Sequence, residues 1–184
     1  MKKNALLSVV ATAALAAFMT TSAQAATFTF QSFLSSAGEP VPTSLATGAA
    51  VVSFDNVSNT ITVLLSWSGL ANSTPFGHIH CCTATPEIGN AGVQLNFTGL
   101  TQAATGSWIG FFPANSPSYA GGATFASLLT NANQGRAYIN IHTPGLYQGG
   151  EIRGFLPAIP EPSTYALMLA GLGAVGFMAR RRKA

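Results

Sequence analysis

Apolar and polar residues alternate with a period of two through most of the chain, in short runs bounded by Gly, Pro, Asn and Ser. Such alternation marks strands that bury one face. About seven or eight runs stand out: TFTF from Thr27, GAAVVSF from Gly48, ITVLLSW from Ile61, HIH at His78, AGVQLNF from Ala91, GSWIGFF from Gly106, RAYINIH from Arg136 and GEIRGFL from Gly150. In the third, Ile61, Val63, Leu65 and Trp67 share one face and Thr62, Leu64 and Ser66 the other. One segment has helical spacing instead: in ATFASLLTNANQG, Phe125, Leu128 and Leu129 fall at i, i+3 and i+4, and Gly135 supplies a stop. These elements predict an all-β fold, an antiparallel Greek-key sandwich or partly open barrel with one short helix, because so many short strands need packed layers to bury their inner faces. The last two runs predict a hairpin. Pairing His142 opposite Glu151 sets Ile141 beside Ile152, so the apolar faces coincide, and a slip of one residue would separate them.

The two ends of the chain follow a different pattern. Lys2 and Lys3 precede an apolar run from Ala5 to Met19 and the small-residue pattern Ala23-Gln24-Ala25. This order reads as a secretory signal peptide over residues 1–25. Near the other end, the triplet Pro160-Glu161-Pro162 is followed by an apolar run from Tyr165 to Ala179 and by Arg180, Arg181, Arg182 and Lys183. The run is short of the roughly 20 residues of a typical span, but flanking cations snorkel and hold such a tail on the cytoplasmic side. Triplet, span and Arg cluster together resemble the PEP-CTERM sorting signal of exopolysaccharide-producing Gram-negative bacteria. The resemblance implies that an exosortase recognises Pro160, Glu161 and Pro162 and removes the tail. It also implies an inner-membrane-anchored precursor over residues 158–184 and a final place at the cell surface or in the extracellular matrix.

Between these ends, residues 26–157 carry two cations, Arg136 and Arg153, against four anions, Glu39, Asp55, Glu87 and Glu151. The net charge of +3 therefore belongs to the tails. The domain has no basic patch for nucleic acid and no phosphate-binding glycine loop. Its length suits a single core. The acidic residues are scattered and no Gly-x-Ser-x-Gly elbow occurs, so the sequence supports no hydrolytic site and predicts a protein that is not an enzyme.

The remaining chemistry is concentrated in GHIHCC at residues 77–82. His78 and His80 stand at i and i+2 on a strand, so their rings leave one face about 7 Å apart along the chain. With His142, on the polar face of another strand, they form an all-imidazole set of the kind that copper or zinc accepts. The reading the sequence favours over this metal set is a polar scaffold in which the histidines hydrogen-bond to neighbouring strands or to Glu151 and Arg153, with Glu151 and Arg153 ion-paired and His142 sharing their cluster. Cys81 and Cys82 meet an oxidising compartment, where a disulfide between them, an intermolecular bridge, free thiols and soft ligation beside His80 are all open. Trp67, Trp108, Phe111, Phe112 and Tyr147 are candidates for contact with a surface protein or exopolysaccharide.

SSAGEPVPTSLATGAAVVSFD near the start, LLSWSGL followed by GHIH, and GRAYINIHTPGLYQGGEIRGFL at the end resemble a CHRD domain, the module named after chordin and also found in bacterial secreted proteins. The resemblance spans about Thr27 to Leu156. It implies a β-sandwich with a surface or extracellular role and a structural or interaction function, and it implies no reaction.

Overall fold

A computed structural model describes residues 27–41, 43–157, 168–173, 175 and 180. Eight strands are formed among them: β1 (Thr27–Ser35), β2 (Thr47–Asp55), β3 (Thr60–Ser68), β4 (Phe76–Cys81), β5 (Val93–Asn96), β6 (Gly106–Pro113), β7 (Ala137–Thr143) and β8 (Tyr147–Phe155). The predicted alternation is visible in β3, where Ile61, Val63, Leu65 and Trp67 are buried and Leu64, Ser66 and Ser68 are exposed. The first strand is longer than its sequence run, extending to Ser35, and the fifth is shorter. Between β2 and β3 the Asp55 carboxylate accepts the backbone N–H groups of Val57 and Ser58, at 2.8 and 3.0 Å, and so sets the turn.

All eight strands belong to one antiparallel sheet, in the order β5-β4-β7-β8-β1-β2-β3-β6. The sheet curls so that its two edges approach each other: the Phe97 ring, just after β5, lies 5.0 Å from Trp108 and 6.0 Å from Phe112 on β6. The architecture is thus the partly open barrel of the two predicted forms. Its inner face holds one core running from Phe30 and Phe54 through Ile61 and Val63 to Ile79, Ile139, Ile141 and Ile152. The helix α1 (Phe125–Asn133) closes against this core through Phe125, Leu128 and Ala132, with Leu129 half-buried beside them. Thr124 and Ser127 form a capping box at its start. Gly135, in the left-handed region at φ 69°, follows its end.

Ile141 pairs with Ile152, as the hairpin pattern predicts, but the register shifts between Ile141 and Thr143, and the next pair is Thr143 with Tyr147. Strand β7 is buried along its whole length, on both faces. Beside it, Gly154 brings β8 against β1: a Cβ built there would collide with the Phe33 backbone and the Ser32 hydroxyl. Backbone cannot yield as a flexible side-chain end does, so Gly154→Ala is expected to cost about 1–3 kcal/mol. Urea denaturation of the two forms checks this through the midpoint shift.

Of the aromatic residues considered for contact, Trp67 and Phe112 are buried, Trp108 and Tyr147 are half-buried, and Phe111 is exposed. Phe33 on β1, not anticipated, is 90% exposed on the same outer face as Leu64 and Ile109. The predicted signal peptide, the Pro160-Glu161-Pro162 triplet, Arg181 and Arg182 lie outside the described residues. Residues 168–173 are helical and Arg180 is exposed, and among the described residues no helix is long and apolar enough to cross a membrane.

Candidate metal centre

On β4, Ile79 and Cys81 are buried in the inner core, so alternation sends Phe76, His78 and His80 to the opposite face. On β7, Ala137, Ile139 and Ile141 take the core and Tyr138, Asn140 and His142 the opposite face. The β4/β7 register places Phe76 opposite His142, His78 opposite Asn140 and His80 opposite Tyr138. The three histidines are therefore neighbours on one patch. Their nearest ring nitrogens all lie within 4.8 Å of one another, and Nδ1 of His78 is 3.3 Å from Nε2 of His142.

Two backbone carbonyls orient this group. His80 Nδ1 is 2.9 Å from the Ala91 carbonyl and His142 Nδ1 is 2.8 Å from the Gln148 carbonyl. A carbonyl only accepts, so both Nδ1 atoms carry the proton and both Nε2 atoms present lone pairs. His80 Nε2 is buried and has no hydrogen-bond partner. An orphaned, aimed lone pair beside two further imidazole nitrogens fits a metal ion, and Nδ1–H bonds to carbonyls are the usual outer support of such ligands. Aromatic rings hold the group from the sides: Phe76 stacks on His142 at 4.8 Å and Tyr138 on His80 at 4.8 Å.

Family comparison bears on the whole domain. The model of the CHRD domain matches residues 30–156. The chain belongs to the CHRD-domain family. The PEP-CTERM protein-sorting motif matches residues 158–183, directly after the CHRD domain, which makes the chain an exported protein handled by exosortase. No curated protein and no solved structure matches it.

Within the CHRD domain the imidazoles are held neutral, the form that ligates. Burial pushes His78 down to about 4, helped by His142 and His80 beside it. Burial likewise brings His142 down to about 4, against its bond to Gln148 and with the help of His80 and Arg153. His80 is lowered by burial, against its bond to Ala91 and with the help of Arg153. Because these folded values lie below the ordinary 6.5, the unfolded chain takes up protons first as pH falls. The metal-free fold therefore keeps this stability above pH 6.5 and loses it between 6.5 and about 4. Glu39, pushed up by burial, gives a slope of opposite sign as pH rises above 4.5, so the histidine part is read as the difference between the wild type and His78→Asn/His142→Asn. After discounting for the partial exposure of His78, a loss on the order of 2 kcal/mol is expected in denaturant titrations from pH 7 to pH 4.

The cysteines take one of the options the sequence left open, the disulfide between them, whereas the acidic residues are arranged differently from the sequence expectation. Cys81 and Cys82 are joined to each other, and Cys81 is buried in the core, so neither thiol is free to serve as a soft ligand beside His80. The expected cluster of His142, Glu151 and Arg153 does not form. The register shift after Ile141 turns the His142 ring to Gln148 and gives the Glu151 carboxylate to Thr143, Ser44 and the Ala71 N–H. Arg153 pairs instead with Glu39 at 2.7 Å, a fully buried bridge, and donates to Asn90 Oδ1 at 2.8 Å. Sequence reasoning missed Glu39. The signal was available, since a strand arginine that must be buried needs a carboxylate and Glu39 sits in the Gly-Glu-Pro segment of the CHRD resemblance.

Proposed function

We propose that this CHRD protein is deployed at the cell surface or in the exopolysaccharide matrix after exosortase processing, and that it works by binding a copper or zinc ion through His78, His80 and His142 without catalytic turnover. The convergence of the three imidazole nitrogens within 4.8 Å carries the metal reading. Typical metal–nitrogen bonds of about 2.0–2.1 Å ask ligand atoms to lie roughly 3.3–3.6 Å apart, so the 3.3 Å His78–His142 spacing already fits once the His78 proton moves from the Nδ1 that meets His142 to Nε2, and His80 has to close a gap of at most 4.8 Å. Imidazoles whose lone pairs are committed to a metal ion are not free to transfer protons at the centre. The two buried carboxylates, Glu39 and Glu151, are engaged with Arg153 and with hydroxyl and N–H donors. A binding role follows better than a reaction. The exposed Phe33, Phe111, Ile109 and Leu64 on the outer face supply contact area for a surface partner, apart from the metal patch.

The test is metal content of the exported protein, purified without a histidine tag and titrated under chelator control. Near one equivalent of copper or zinc is expected, lost in His78→Ala/His80→Ala while circular dichroism is kept. Metal-free wild type after titration would leave the histidines as polar scaffold.

A further inference from the structure

The charge environment of the centre narrows which ion it takes. All three donors are neutral imidazole nitrogens, and among the described residues the ligand group contains no carboxylate and no thiolate. His80 and His142 are only 8% and 5% exposed. An ion placed there keeps its full charge, and the cost of desolvating it rises with the square of that charge, about fourfold from a monocation to a dication. A fixed charge beside the centre, Arg153, has the wrong sign for a dication. The Arg153 guanidinium sits 4.7 Å over the Tyr138 ring, and His80 is stacked on the same ring at 4.8 Å with planes 4° apart, Phe155 packing against it at a tilt. Arg153, Tyr138 and His80 thus form a ladder that ends at a ligand, and the field of Arg153 reaches both His80 and His142. Glu39 offsets part of that charge through its bridge to Arg153.

We propose that the centre selects a monovalent ion of the copper class, Cu(I), over Zn(II) and Cu(II), and that Arg153, tempered by Glu39, sets this preference. The inference rests on the three-histidine reading and adds the charge of the ion to it. Three neutral donors suit an ion that accepts low coordination. Arg153 disfavours the second positive charge without touching the ion, so it is a positioning residue for charge and not a ligand.

The test compares the full-length protein with Cu(I) under anaerobic chelator competition, with Ag(I) as a monovalent ion that does not change oxidation state, and with Cu(II) and Zn(II). Cu(I) and Ag(I) are expected to bind at least tenfold more tightly than Zn(II), and bound copper to favour Cu(I) over Cu(II). Removing the tempering anion with Glu39→Gln is expected to raise the Cu(I):Cu(II) affinity ratio about tenfold, a rise of 59 mV in the one-electron potential. Removing both charges with Glu39→Gln/Arg153→Met is expected to lower the ratio below wild type. If Zn(II) or Cu(II) binds the wild type as tightly as Ag(I), and His78→Ala/His80→Ala abolishes that binding, the metal site stands and the charge preference is overturned. A ratio unmoved in folded charge variants removes Arg153 as its source. A wild type that binds none of the four ions overturns the site and the preference together. The ion comparison on the wild type needs no variant, so it decides the preference even if the charge variants fold poorly.

Discussion

Glu151→Ala is expected to lower the stability of the domain by about 3–5 kcal/mol, enough to remove much of the usual margin of a small fold. Glu151 is completely buried, and its carboxylate ties three separate pieces of chain to β8. Oε1 accepts from Ser44 Oγ at 2.7 Å and from the Ala71 N–H at 2.9 Å, and Oε2 accepts from Thr143 Oγ1. Alanine would leave these donors facing a cavity that water reaches poorly, and an unsatisfied buried donor costs about 1–3 kcal/mol. Glu151→Gln keeps the volume and one acceptor but turns an N–H group toward a donor, so about half the loss is expected. Equilibrium unfolding in urea orders the three proteins. Equal stability of Glu151→Ala and wild type would show that the carboxylate does not hold these segments.

Arg153→Met is expected to cost about 3–5 kcal/mol, because it strands Glu39 as a buried carboxylate without its partner. The bridge is 2.7 Å long and both side chains are almost wholly enclosed. Removing the two charges together with Glu39→Gln/Arg153→Met is expected to restore most of that loss, since buried pairs replaced by neutral groups of similar volume often cost little. The coupling between the two substitutions, read from a double-mutant cycle of unfolding free energies, is the quantity that matters. Additive effects would mean that Glu39 and Arg153 contribute independently.

The strands of this CHRD domain were legible because most of them bury one continuous apolar face. In β3 the alternation of Ile61, Val63, Leu65 and Trp67 with polar or exposed positions is enough to give both the element and its orientation. The pairing of Ile141 with Ile152 was legible for the same reason. The partners of Glu151 were not, because a register shift beyond Ile141 breaks the expected pairing of His142 with Glu151, and period-two patterns do not encode an irregularity; Arg153 keeps its register opposite Asn140 but finds its carboxylate outside the strands. Glu39 comes from a loop, where no periodicity exists to place it. The histidine group was partly legible: His78 and His80 share a face by spacing alone, but their meeting with His142 depends on β4 lying beside β7, a long-range pairing. Curvature was also hidden, since one curled sheet and two stacked sheets bury the same alternating residues.

The position of the last hairpin in the sheet governs the order in which the molecule can be assembled. Without β7 and β8, the strands divide into a four-stranded piece, β1-β2-β3-β6, and a two-stranded piece, β5-β4, with no hydrogen-bonded neighbour in common. A two-stranded piece is marginal by itself, and contacts between residues far apart in sequence form slowly. The chain therefore has no complete barrel until residues 137–155 arrive, and Leu156, the last core residue, stands four positions before Pro160. A protein exported with its N-terminus leading must stay unfinished until almost its whole length has crossed. In a chain exported that way His142 is likewise the last of the three imidazoles to emerge, so under the proposed metal reading the ion would be set by the exterior and not by the cell's internal metal pool.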